Sequence, residues 1–168
     1  MRTMLKLAVV AALSLGTTVA QAAIYNAGTL TTVPYNNTSI VAPGSFQDTY
    51  NMTVGSNPSV AAAAVQLVLN FGSLSVYNIQ GLSASLFDSG NNFMTGATQA
   101  VGSYDPVSFS AMLGSGNYHV NIAGNAIGSS GGIYTFAIAA VPEPETYALM
   151  LAGLGLVILV ARASRKII

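Results

Sequence analysis

Residues 46–54 read Phe46-Gln47-Asp48-Thr49-Tyr50-Asn51-Met52-Thr53-Val54. Every even position is apolar or aromatic except Asp48, and every odd position is polar. A period of two is the signature of a strand with one buried face. It places Asp48 on the same side as Phe46 and Tyr50. The same period recurs along the chain. In residues 65–71 the odd positions Val65, Leu67, Leu69 and Phe71 are apolar. Leu82, Ala84 and Leu86 alternate with serines, as do Val107, Phe109 and Ala111. Tyr118, Val120 and Ile122 alternate with His119 and Asn121, and Tyr134, Phe136 and Ile138 alternate again. Residues 60–65 are Ala-rich; a helical turn is open to them, and a strand is favoured. Between these runs lie turn-forming clusters: Asn57-Pro58, Asp88-Ser89-Gly90-Asn91-Asn92, Gly114-Ser115-Gly116-Asn117 and Gly128-Ser129-Ser130-Gly131-Gly132. Residues 88–92, between Leu86-Phe87 and Phe93-Met94, predict a hairpin. Short strands at this spacing predict an all-β, antiparallel β-sandwich of jelly-roll-like type.

The charge distribution divides the chain. Of 168 residues only 6% are charged, and five Lys+Arg balance five Asp+Glu. The cations are Arg2, Lys6, Arg162, Arg165 and Lys166, so residues 7–161 hold no Lys or Arg at all. A nucleic-acid binder needs cations to neutralise phosphates; the body has none. With no Cys, disulfide frameworks, zinc fingers and thiol nucleophiles are excluded.

Both ends read as processing segments. Arg2 and Lys6 precede an apolar stretch, residues 7–19, and Ala20-Gln21-Ala22 supplies small residues before a cut. This pattern predicts a signal peptide over residues 1–22, in a signal helix, with signal peptidase cleaving between Ala22 and Ala23. At the other end Val141-Pro142-Glu143-Pro144-Glu145 is an acidic, proline-stiffened break. Residues 147–161 are apolar and uncharged, followed by Arg162, Arg165 and Lys166. As a helix this run is about 22 Å long, short of the ~30 Å hydrocarbon core. The basic tail stays cytoplasmic by the positive-inside rule, which predicts a short C-terminal transmembrane helix with the body outside. A plain membrane anchor is the alternative.

The order acidic proline motif, short apolar helix, basic tail resembles the PEP-CTERM sorting signal, carried by Val141-Pro142-Glu143-Pro144-Glu145-Thr146-Tyr147 and the residues after it. That resemblance implies recognition by an exosortase at Pro142, Glu143 and Pro144, with Arg162, Arg165 and Lys166 as the cytoplasmic anchor. It implies transient anchoring in the inner membrane, then release or transfer to the cell surface or an exopolysaccharide-rich matrix. Ala163 and Ser164 interrupt the usual tight Arg cluster. Phe46, Asp48 and Tyr50 also resemble the motif of FxDxF-type PEP-CTERM proteins, with Tyr50 standing where that family has Phe. The resemblance implies no catalytic activity. The expected organisation is signal peptide 1–22, exported β-sandwich 23–141, and sorting signal 142–168.

The chemistry-bearing residues of the body are few: Asp48, Asp88, Asp105 and His119. His119 falls at an outward strand position and the aspartates are dispersed, so no enzyme is expected. A buried carboxylate must be paired or hydrogen-bonded. With no Lys or Arg at hand, Asp48 accepts backbone N–H bonds at a bulge or strand edge, or it binds a cation. Asp88 offers oxygen ligands in a tight turn, which makes Asp48 and Asp88 the calcium candidates; no resident cofactor is expected. Tyr25, Tyr35, Tyr77 and Tyr104, with Asn side chains, are candidates to stack on sugars. Asn36-Asn37-Thr38 and Asn51-Met52-Thr53 match the N-x-[ST] pattern. The role expected is structural or adhesive, in association with exopolysaccharide; the alternative is a carbohydrate- or calcium-binding module of the matrix.

Overall fold

The computed structural model describes residues 20–55, 59–141 and 144–164. The predicted signal helix over residues 1–19, the Asn57-Pro58 turn, Pro142, Glu143, Arg165 and Lys166 lie outside the described residues. Eleven strands form: β1 (Ile24–Thr29), β2 (Tyr35–Val41), β3 (Gly44–Val54), β4 (Ser59–Leu67), β5 (Leu69–Phe71), β6 (Leu74–Tyr77), β7 (Ile79–Asp88), β8 (Phe93–Thr98), β9 (Val107–Met112), β10 (Gly116–Ala126) and β11 (Gly132–Val141). A helix, α1 (Pro144–Ser164), follows.

The strands make a five-stranded sheet in the order β1-β3-β10-β7-β8 and a four-stranded sheet in the order β2-β11-β4-β9, with β5-β6 as a separate ribbon. From β2 to β11 the chain passes from one sheet to the other at almost every connection. Within the two large sheets only β7 and β8 are consecutive neighbours, joined by the hairpin expected at residues 88–92. This is the winding of a jelly roll. Asp88 organises the hairpin turn: its Oδ1 accepts the amides of Gly90 and Asn92 at 2.8 and 2.9 Å. Asn91 takes the left-handed conformation at φ 61°, which Asn tolerates better than most residues.

One expectation is corrected: the sandwich is not wholly antiparallel. β1 pairs with β3 in parallel. The reason is topological. β2, which separates them in sequence, crosses to the opposite sheet, so β1 and β3 enter their own sheet in the same direction. A parallel pair needs such a crossover.

The interior follows the alternation. Phe46, Asp48, Tyr50, Met52 and Val54 are all buried, as are Leu82, Ala84 and Leu86 from the same sheet. Tyr134, Phe136 and Ile138 meet them from the opposite sheet. Aromatic contacts bind the two layers: Tyr50 lies 4.6 Å from Phe136 and Phe46 5.5 Å from Tyr134, centroid to centroid. The Ala-rich segment is strand β4, and its Val60, Ala62 and Ala64 point inward.

That phase overturns the expected inward face of residues 65–71. Even positions of β4 face the core, so Gln66 is buried while Val65 and Leu67 are exposed. Leu69 and Phe71 continue outward on the short β5 ribbon. The polar residue is accommodated because both its amide nitrogen and its oxygen are hydrogen-bonded. Gln66 Nε2 donates to Gln99 Oε1 at 2.7 Å, and Ile79 N donates to Gln66 Oε1 at 2.8 Å. Gln99 Nε2 in turn donates to the carbonyl of Asp105 at 2.7 Å. Replacing Gln66 by Ala therefore costs about 1–3 kcal/mol, by leaving the Ile79 amide and Gln99 Oε1 without those partners. Val65→Ser, one residue away, costs less than about 1 kcal/mol, because Val65 packs against nothing it must fill. Paired denaturant melts check this inversion of the usual polarity rule.

Candidate functional site

The alternation of β3 carries Asp48 into the interior between Phe46 and Tyr50, at 1% exposure. Its partners come from three other segments. Ala23 N, at the start of β1, donates to Oδ1 at 2.9 Å. Ser39 Oγ on β2 donates to Oδ2 at 3.2 Å. Tyr134 Oη on β11 also donates to Oδ2.

A carboxylate only accepts hydrogen bonds, and this orients the rest of the network. Because Tyr134 gives its proton to Asp48, it accepts from Tyr50, 2.9 Å away. Tyr50 in turn accepts from Asn37 Nδ2 at 3.0 Å. Because Ser39 gives its proton to Asp48, it accepts from Tyr25 at 3.0 Å. Every donor in the cluster points toward one anion. The cluster also bridges the two sheets, since Asp48 and Tyr50 lie in one and Asn37, Ser39 and Tyr134 in the other.

Burial pushes the Tyr50 phenol up to about 12 from its ordinary 10. Tyr134 is pushed up further, first by burial and then by its hydrogen bond to Asp48, which only the neutral phenol can donate. The sign of the linkage follows. The folded state holds these protons above pH 10 while the unfolded state loses them, so the stabilisation is complete below about pH 10 and lost as pH rises toward 12. An alkaline titration followed by tyrosinate absorbance is expected to show Tyr50 ionising near pH 12 and Tyr134 only with unfolding. Melts at pH 9 and pH 11.5 are expected to differ, with the alkaline sample the less stable.

Of the sugar-stacking candidates, Tyr25 stacks on Tyr50 at 4.7 Å, and Tyr35 meets the Tyr50 ring edge-on at 6.3 Å. Both belong to this cluster. Tyr77 is half-buried, and Tyr104 is exposed beside Gly81 and Gly102. The structure does not bring the four tyrosines onto one surface.

A different polar surface lies on the outer face of the five-stranded sheet. Thr49 donates to Asn121 at 2.9 Å and Thr53 to Asn117 at 3.0 Å, with Asn51 opposite His119 between them. Asn51, Thr53, Asn117 and His119, with Asn26 and Ser89, line a shallow pocket of about 340 Å³. His119 lies flat on Phe87 at 5.2 Å, and Phe87 meets Phe93 edge-on. Sequence periodicity put His119 on this outer face but missed the pocket, because the paired Asn and Thr residues are 64 to 72 positions apart.

The calcium candidates are not brought together. Asp88 is occupied with its own turn: the Asn92 side chain and then the backbone amides of Asn92 and Gly90 hold its carboxyl below the ordinary range. Among the described residues no cluster of three His, Cys, Asp or Glu is placed to hold a metal ion.

At the N-terminal edge, Ala20 and Ala22 are exposed and Ala23 is half-buried. Gln21 N donates to Ser45 O at 3.2 Å and Gln47 N to Gln21 O at 2.9 Å. At the other end β11 runs to Val141 and α1 begins at Pro144, with Arg162 exposed in its last turn. Among the described residues no helix is long and apolar enough to cross a membrane.

A family model for this C-terminal segment matches residues 140–166. These residues are a PEP-CTERM protein-sorting motif. The motif implies export, transient anchoring at the membrane and processing by an exosortase. It covers the end of the chain only. No curated protein matches the chain. Among solved structures, the pre-peptidase C-terminal domain of a Bacillus anthracis collagenase is similar at 15% identity and TM-score 0.45, over 73% of this chain and 99% of that one. The periplasmic lysozyme inhibitor PliG of Aeromonas hydrophila is similar at 10% identity and TM-score 0.41, over 71% and 99%. A family 35 carbohydrate-binding module from Clostridium thermocellum is similar at 11% identity and TM-score 0.36, over 65% and 92%.

Proposed function

We infer that the protein is an exported, exosortase-processed component of the cell surface or extracellular matrix, with a structural or adhesive role beside exopolysaccharide. The observation that carries this reading is the position of the sorting motif. The last strand ends at Val141, and the Pro142-Glu143-Pro144 break follows at once. A cut there leaves every strand of the sandwich intact and removes α1 with the basic tail. What remains, residues 23–141, has only three acidic side chains and no Lys or Arg. Such a surface meets its partners through hydrogen bonds and apolar contact, and salt screens it little. Engagement of Asp48 in the interior and the stacking of His119 on Phe87 favour a non-catalytic role.

The sorting step is tested by replacing Pro142, Glu143 and Pro144 with Ala in a cell that carries an exosortase. The variant is expected to stay in the membrane fraction with its C-terminal segment retained, while the wild-type body appears outside. Equal release of both would contradict the reading. The role is tested by co-sedimentation of the exported body with the cell's own exopolysaccharide.

A second reading, a carbohydrate-binding module, is favoured by the Asn51–Asn117–His119 pocket. Its amide and hydroxyl groups sit beside aromatic rings, the pairing that sugar recognition uses. Glycan titration of the exported protein is expected to saturate, and Asn51→Ala with Asn117→Ala to weaken binding about tenfold or more. A calcium titration with Asp88→Ala as control tests the metal version: a melting shift with calcium that Asp88→Ala abolishes supports it.

A further inference from the structure

Asp48 is a carboxylate at 1% exposure with no cationic side chain among the described residues to meet it. β1, β2, β3 and β11, which enclose it, contain no other charged residue. Its two oxygens are used unequally. Oδ2 receives Ser39 and Tyr134, whereas Oδ1 receives one donor, Ala23 N at 2.9 Å. Ala23 is the residue that the Ala20-Gln21-Ala22 pattern places immediately after the signal-peptidase cut.

We propose that signal cleavage creates the counter-ion of Asp48. Hydrolysis of the Ala22–Ala23 peptide bond consumes one water. The hydroxyl goes to the Ala22 carbonyl, which departs as a carboxylate with the signal segment, and the nitrogen stays on Ala23 as an amine. Near neutral pH that amine, ordinarily of pKa about 7.7–8.0, is an ammonium. It forms 2.9 Å from Oδ1, in a body that otherwise carries no Lys or Arg. In the precursor the same nitrogen is a neutral amide with a single hydrogen. Maturation therefore converts a neutral hydrogen bond into a charge-assisted one, and pins the start of β1 to the polar centre of the sandwich. The bonds lost with Gln21 and Ala22 fall on Ala42, Ser45 and Gln47, all exposed, where water replaces them.

The inference rests on the signal-cleavage site read from the sequence and is separable from it. N-terminal sequencing of the exported protein comes first, and an N-terminus other than Ala23 overturns both. With Ala23 at the terminus, the α-amine is reacted with an acetylating ester between pH 6 and pH 9. The N-terminal peptide is followed by mass, so that any retained Lys166 is scored separately. The reference is the free peptide Ala-Ile-Tyr-Asn. The other titratable groups facing the pocket are the phenols of Tyr25, Tyr50 and Tyr134. Simple burial would lower the amine's pKa, whereas pairing with Asp48 raises it, so the direction separates the two causes. The expected result is an apparent pKa at least one unit above the peptide's and acetylation at least tenfold slower at pH 8, with Asp48→Asn reversing both. An amine that titrates at or below the peptide's value, or an Asp48→Asn variant no more reactive than wild type, overturns the proposal. The comparison of wild type with peptide decides the matter even if the variant fails to fold.

Discussion

Asp48→Ala is expected to lower the stability of the β-domain by about 3 kcal/mol or more. The substitution removes one acceptor but strands several donors. Tyr134 and Ser39 lose the oxygen to which they point, and Ala23 N loses its partner. Each buried, unsatisfied donor costs about 1–3 kcal/mol. The effect propagates, because the orientations of Tyr50, Asn37 and Tyr25 are set by the anion at the end of the chain. For a domain of this size the thermal midpoint should fall by about 10 °C or more. Tyr134→Phe removes a single hydroxyl and strands only the Tyr50 donor, so it is expected to cost less, about 1–2 kcal/mol. A thermal melt of the three proteins checks the order wild type, Tyr134→Phe, Asp48→Ala. If Asp48→Ala melts with wild type, the network is not what joins the sheets.

Gly131→Ala is expected to cost about as much, by a different route. Gly131 lies at φ +98°, a conformation that side chains rarely adopt. An added Cβ would stand 1.9 Å from the carbonyl oxygen of Val41, at the point where β11 begins to pair with β2. The clash is with backbone, so no rotamer relieves it, and β11 must shift against β2. Backbone strain of this kind costs about 1–3 kcal/mol, and displacement of the strand adds to it. Gly72 is the control: its φ is +61°, yet a Cβ there meets nothing within 4 Å. Gly72→Ala should cost only about 1–2 kcal/mol, from the left-handed backbone alone. Denaturant unfolding of the pair checks this; equal losses would place the cost in the dihedral angle and not in the approach of Val41.

Much of the fold was legible because its physics is local. Phe46, Tyr50, Met52 and Val54 announce a one-faced strand by their spacing, and Asp88-Ser89-Gly90-Asn91-Asn92 announces a hairpin by its turn chemistry. The face of β4 was not legible. Val65 and Leu67 outweigh the alanines in hydrophobicity, yet Val60, Ala62 and Ala64 are the residues that face the core. Gln66 is inward because Gln99 and the Ile79 amide, distant in sequence, satisfy it. The parallel pairing of β1 with β3 follows from a crossover that no local pattern records. For Asp48 the sequence placed the carboxylate on the buried face and required that it be hydrogen-bonded. It could not name Tyr134, 86 residues away. Phe46, Asp48 and Tyr50 are all buried, Asp48 and Tyr50 in the hydrogen-bond network and Phe46 stacked on Tyr134.

The two termini carry the account of where the protein goes, and both make claims about mass. The most direct measurement is the intact mass, with N-terminal sequence, of the protein recovered outside cells that carry an exosortase. The expected product is a chain beginning at Ala23 and ending near Pro142-Glu143-Pro144, without Arg162 and the residues that follow. A product outside the cell that retains residues 162–168 would contradict it.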